Sequence, residues 1–156
     1  MSNAAVTPVR RIACAAVPDL PHASWSNALA LGPELVLSGQ TAHPATAAAA
    51  QAGAALGTYE QTLLVLRKIQ ALVEAAGGGL YNIVKLVVYV TDIADKDEVG
   101  RARREVFGAQ PAYPASTLIG VNALVFPELR VEIDAIARLD VDLRHLSEVP
   151  SCLHPR

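Results

Sequence analysis

Cysteine, aromatic residues and charge are all scarce in this chain. Two cysteines occur in 156 residues, Cys14 and Cys152, with no CxxC and no Cys/His metal spacing. This sets aside a thiolate zinc centre and favours reduced cytosolic thiols over a disulfide. Charged residues make up only 18% of the chain and the net charge is −2, which gives no general attraction to a polyanion. The one short basic run, "RARR" at Arg101 to Arg104, is interspersed with Glu98 and Glu105 and reads as the solvated face of a helix rather than an RNA-binding patch. No apolar run approaches the ~18 residues of a membrane span, and no signal-type apolar stretch follows "VRR" near the start. A soluble cytoplasmic protein without membrane or nucleic-acid partners is expected.

What is abundant is aliphatic: 52% of residues are hydrophobic, dominated by Ala, Val and Leu. With so little charge, this composition suggests an oligomer that buries part of what a monomer exposes. The expected organisation is a flexible lead-in over residues 1–10, a single domain over 11–139 and a C-terminal tail over 140–156. "NALALG" and "ELVLSGQ", split by Gly32-Pro33, read as a hairpin. Residues 42–57 are alanine-rich but broken by Pro44, Gly53 and Gly57, so a surface loop with one helical turn is expected there. "TYEQ" reads as a capping box with Thr58 as N-cap, opening a helix that presents Leu63, Leu66, Ile69/Gln70 and Val73 on one face. Gly77 to Gly79 end it. "NIVKLVVYVTD" is a nearly continuous apolar strand, central in a sheet. "DKDE" at Asp95 to Glu98 starts a second helix reaching about Phe107, and "STLIGVNAL" and "LRVEIDAIARL" supply two last strands joined by a turn near Pro127-Glu128. The order β-β-α-β-α-β-β gives an α+β fold, a mixed sheet with two helices on one face. Its other face still carries apolar residues, which several copies around an axis would cover.

In "RVEIDAIA", alternation places Val131, Ile133, Ala135 and Ala137 on one face and Arg130, Glu132 and Asp134 on the other. Such charges are ordinarily the wet side of a sheet. The segments around this strand add to that reading. "ELVLSGQ", "EQTLLVLRKIQALVEAAGG", "IVKLVVYVTDIAD", "YPAS" and "VEIDAIA", in this order and at nearly the right spacing from about Trp25 to Arg138, resemble the Rid family, the YjgF-type group also known as L-PSP endoribonuclease-like proteins.

The resemblance implies a chorismate-mutase-like fold assembled as a homotrimer with small-molecule clefts between subunits, and it implies no metal or organic cofactor. It implies hydrolysis of reactive enamines and imines, with an arginine holding the substrate carboxylate in a two-bond fork and a glutamate handling the attacking water. Glu132 stands at the glutamate. Ser38 and Gly39 of the intact "SGQ" stand where backbone groups orient the substrate, although Gly39 is equally explained by backbone geometry. Trp25 stands where tyrosine is common, as a stacking wall or as an anchor for the hairpin. The pattern departs from the family at Ser116, in Pro114-Ala115-Ser116-Thr117, where the arginine is expected, and at Gly100, where active members carry asparagine. Serine supplies neither charge nor a fork. Ser116, Thr117 and Arg130 are therefore the candidate substrate contacts of a non-standard site, with Arg103 a second arginine near the cleft edge. Each arginine reads more often as plain surface.

Three functions follow. The first is a hydrolase of an enamine, imine or related C=N compound, with Glu132 as general base. The second is a trimer that binds a small metabolite without chemistry. The third, ranked last for want of a His pair or His/Lys constellation, is the ribonuclease of the family's older name.

Overall fold

The computed structural model describes Val6 and residues 8–147. Cys152 and the tail from residue 148 lie outside the described residues. Six strands form one sheet: β1 (Val9–Arg11), β2 (Ala28–Leu31), β3 (Glu34–Thr41), β4 (Ile83–Val90), β5 (Ala115–Gly120) and β6 (Val131–Arg138). Their order is β1-β2-β3-β6-β4-β5. All neighbours are antiparallel except β4 and β5, which run parallel and leave β5 at the edge. The helices are α1 (Ala45–Gln51), α2 (Thr58–Ala75) and α3 (Lys96–Phe107).

The expected α+β architecture is present, with additions that the sequence reading did not include. Val9–Arg11 is a strand, pairing with β2 at Val9↔Leu31. The alanine-rich segment holds α1, seven residues long, after the cis His43-Pro44 bond. The two last strands are not a hairpin: β6 inserts between β3 and β4, so residues 121–130 cross over the end of the sheet. The hairpin of β2 and β3 stands as expected, with Gly32 at φ 62° in its turn.

Alternation sorts the sheet's two faces. Leu35, Leu37, Leu86, Val88, Val131, Ile133, Ala135 and Ala137 are buried, and they share one core with Leu66, Ile69, Leu72 and Val73 of α2 and Val99 and Phe107 of α3. The other face is open, with Val9, Leu31, Val36 and Ile119 between 39% and 57% exposed.

The expected capping box of α2 is corrected. Gly57, not Thr58, is the N-cap of α2, and no side chain caps it. The Thr58 hydroxyl instead donates to Asp95 at the start of α3. Gln61 is fully buried: its amide donates to the carbonyls of Leu56 and Glu128 at 2.9 Å each and accepts from the Arg130 N–H at 2.9 Å. A buried amide with these three bonds ties the 121–130 crossover to α2. At the far end of α2, Gly77 at φ 95° and the Gly78 N–H bonded to Val73 O stop the helix as expected.

Candidate functional site

Strand β3 carries one extra residue against β6. Leu37 pairs with Ala135 and Gln40 with Ile133, so Ser38 and Gly39 together oppose Asp134. This is a β-bulge, a device that re-aims the chain locally. It is fixed by the Ser38 N–H to Asn27 O (3.0 Å), the Ser38 hydroxyl to Ser26 O (2.7 Å) and the Gln40 amide to Ser38 O (3.1 Å). Because Gly39 has no side chain, the Glu132 carboxylate lies over it. A Cβ built there would overlap Glu132 Oε1 and stand 3.0 Å from Asp134 Oδ1. Gly39 is needed for this close approach, not for a positive φ.

Glu132 is half-buried on the open face, beside its strand partners Thr41 on β3 and Tyr89 on β4. Burial first, and the neighbouring Asp134 carboxylate second, raise its pKa above the ordinary glutamate range. Asp134 is held by the Tyr89 hydroxyl, which donates to Oδ2 at 3.0 Å, and that bond pushes the tyrosine's own pKa up. Among the described residues no cation pairs with either acid. The arrangement is a glutamate with raised proton affinity beside a second, anchored carboxylate.

The other candidates fall in three places. Trp25 is 55% exposed and precedes Ser26, whose carbonyl is tethered to Ser38, so its segment borders the bulge and Glu132. Thr117 shares the open face, two strands away, and accepts from Lys85 Nζ at 2.8 Å. Ser116 pairs with Leu86 and so points to the helix side of the edge strand, on the opposite face from Glu132. Arg130 leaves the strand before β6 begins, and its guanidinium sits 3.7 Å from Asp95, not beside Glu132. One chain therefore joins Ser38, Gly39, Glu132 and the Trp25 segment, and keeps Ser116 and Arg130 apart from them.

Residues the sequence did not single out complete the region. Lys68 of α2, half-buried with its pKa pushed down by burial, donates to Thr41 O at 2.8 Å and to His43 O. Phe126 of the crossover packs on His43 with ring centroids 4.6 Å apart. Behind them a cavity of about 480 Å³ opens between α1 and the crossover, lined among others by Thr46, Ala50, Asn122, Phe126 and Arg130. Arg130 apart, no spacing or motif signals these residues, because the contacts come from the crossover's path. Among the described residues no group of three or more His, Cys, Asp or Glu side chains is placed to hold a metal, and no helix is long and apolar enough to cross a membrane.

Comparison with known proteins identifies the family and fold. The Endoribonuclease L-PSP family profile matches residues 17–139. The RutC family protein y4sK of Sinorhizobium fredii is 35% identical over 125 residues, 78% of this chain and 93% of that protein. The candidate reactive intermediate deaminase TdcF of Escherichia coli is 32% identical over 79 residues, 50% of this chain and 60% of that protein. The crystal structure of PA3499 from Pseudomonas aeruginosa, a protein of unknown function, superposes with a TM-score of 0.88 at 64% identity, covering 90% of this chain and 99% of that one. The chain belongs to the Endoribonuclease L-PSP family, the YjgF or Rid group.

Proposed function

We propose that this protein hydrolyses an enamine, imine or related C=N metabolite, releasing the amine nitrogen, in clefts between the subunits of a homotrimer. One observation carries the reading: Glu132 is half-buried over Gly39, beside Asp134, with no cation against it. A carboxylate kept short of counter-charge takes a proton readily, so it draws one from water as that water attacks the C=N carbon. The leaving nitrogen then receives the proton. Ser38 and the Gly39 backbone orient the substrate, and Trp25 forms a wall. Ser116 of another subunit faces them, since Ser116 and Glu132 lie on opposite faces of one chain, and Thr117 adjoins it on the edge strand. The apolar open face supports association, and the similarity to TdcF supports the reaction class. Ser116 stands where the family's fork-forming arginine is expected, so the substrate is a non-standard one.

The test generates imines in situ with an amino-acid oxidase and traps survivors with semicarbazide. Faster loss of imine with the wild type than with Glu132→Gln supports hydrolysis; equal loss with both would refute it. A second reading, a metabolite-binding trimer without chemistry, is favoured by the changes at Ser116 and Gly100. The endoribonuclease of the family name ranks third.

A further inference from the structure

Five buried side-chain polar atoms lack a partner among the described residues: His43 Nδ1, Thr46 Oγ1, Arg103 Nε, and Nε2 and Oε1 of Gln110. Three of the five belong to α3 and the loop that follows it. Buried polar groups are nearly always bonded, so a cluster of orphans calls for a partner that the chain itself does not provide.

The periodicity of α3 shows where this partner would sit. Arg101 stacks over the Tyr59 ring at 3.5 Å, and Glu105 accepts from the Tyr59 hydroxyl, so that side of α3 faces α2. At about 100° per residue, Gly100, Arg103, Arg104 and Phe107 occupy the flank turned away from α2. Phe107 meets the Tyr113 ring edge-on at 6.5 Å, and Tyr113 leads through Pro114 into β5. The C-terminal end of this flank therefore lies beside the loop that leads into the edge strand, whose Ser116 points to the helix side.

Both guanidiniums on the flank are uncompensated. Neither Arg103 nor Arg104 takes part in an ion pair among the described residues, whereas Arg101, Arg130, Arg138 and Arg144 each do. Arg103 is half-buried, and burial alone pushes its pKa down, with no acid near enough to oppose it. Arg104 folds back so that Nη1 stands 3.4 Å from where a side chain at Gly100 would begin. Gly100 precedes Arg103 and Arg104 by three and four residues, so on the helix it lies one turn before both arms and adds no side chain between them. The acid on that flank, Asp97, lies two turns back and is already paired with Lys96 at 3.0 Å.

We propose that Gly100, Arg103 and Arg104 form a binding notch for a doubly charged oxyanion of a small metabolite, a phosphomonoester or a dicarboxylate, with the Ser116 hydroxyl at its margin. Two unpaired positive charges match a dianion, and planar guanidinium forks suit its oxygens. A monoanion would leave one of the two charges uncompensated. This names the charge of the molecule for the site proposed above, and it rests on that reading only for the ligand's being a substrate.

Calorimetric titration of the full chain with inorganic phosphate, malonate and acetate tests it. Phosphate or malonate should bind at least tenfold more tightly than acetate, and whichever binds names the source of the charge. Arg103→Gln and Arg104→Gln should each weaken that binding tenfold or more, and Gly100→Asn, which fills the notch, should do the same. Arg103→Lys should restore part of the loss, and Arg67→Gln, at an exposed position on α2, should bind as the wild type does. Equal affinity for acetate, or binding unchanged in both arginine variants, overturns the proposal. So does light scattering showing that the arginine variants fall to smaller species, which would assign these arginines to a neighbouring copy. If the dianion binds as expected while no imine is hydrolysed, the notch stands and the hydrolase reading falls. Hydrolysis that both arginine variants leave intact gives the opposite result.

Discussion

The carboxylate of Glu132 occupies the space that a side chain at Gly39 would take. The bulge at Ser38-Gly39 and the position of the glutamate are therefore one feature, since either alone would leave the acid elsewhere. Gly39→Ala should displace Glu132 while the sheet's core remains intact. If Glu132 handles the water, a displacement of about 1 Å is enough to lower imine hydrolysis by roughly 10²-fold. The check is kcat/KM beside the circular dichroism of the variant. A folded Gly39→Ala protein with full activity would remove Glu132 from the mechanism.

Proton affinity at Glu132 gives a signed pH dependence. Its folded pKa is raised, so its contribution to stability is fully present below the ordinary glutamate value of 4.5 and is lost as pH rises through the raised value. Glu132→Gln abolishes that loss. The Tm of the variant should gain on the wild type as pH goes from about 4 to about 8. Hydrolysis should climb over the same window, with its inflection above the usual glutamate range. Asp134→Asn should lower the inflection without returning it to that range, because burial is the larger cause of the shift and Asp134 the smaller. Tm and rate profiles measured in the same buffers check both statements.

The alternation in "RVEIDAIA" was readable in the sequence because a strand's period of two depends only on local order, and Val131, Ile133, Ala135 and Ala137 are all buried. The place of Glu132 beside Asp134 and Tyr89 was only half readable. Two of the three share a strand, but Tyr89 joins them through the register between β4 and β6, which no motif encodes. The role of Arg130 was obscured for a related reason. Extending the alternation one residue upstream assigned it to the face of Glu132, whereas β6 begins at Val131 and the side chain turns to Asp95. Gln61 was legible as a residue of interest and misread as a cap, since its partners Glu128 and Arg130 lie more than sixty residues away.

That amide gives a stability prediction. Gln61→Leu keeps the volume approximately but leaves the Arg130 N–H and the carbonyls of Leu56 and Glu128 without partners. Orphaned buried groups cost about 1–3 kcal/mol each, reduced where water reaches them, so a loss of roughly 2–4 kcal/mol is expected. Urea denaturation measures it. A loss below about 1 kcal/mol would mean that the crossover does not depend on this clamp.

The buried face of α2 holds the expected Leu66, Ile69 and Val73 but is centred away from the expected Leu63. Val65 and Leu72 are fully buried, while Leu63 is only half-covered. Leu72→Ala should cost about 2–5 kcal/mol, the usual range for a closed core, and Leu63→Ala clearly less. The pair of variants compared at one denaturant slope distinguishes the observed face from the expected one.

Association is tested at Val36. It is 39% exposed at the middle of the open face, between its strand partners Leu29 and Ile136. Its neighbours Leu35 and Leu37 point into the core, so a substitution at Val36 leaves the interior packing alone. If copies of the chain cover this face, Val36→Asp places a charge in an apolar interface without a partner, and the assembly should dissociate toward single chains at micromolar concentration. Arg67→Asp, at an exposed position on α2, should leave the assembly as it is. Light scattering with both variants decides the matter. Dissociation should also abolish imine hydrolysis, because Ser116 and Glu132 meet only across subunits in the proposed cleft. Full activity in a single-chain species would show that the substrate needs nothing from a second copy.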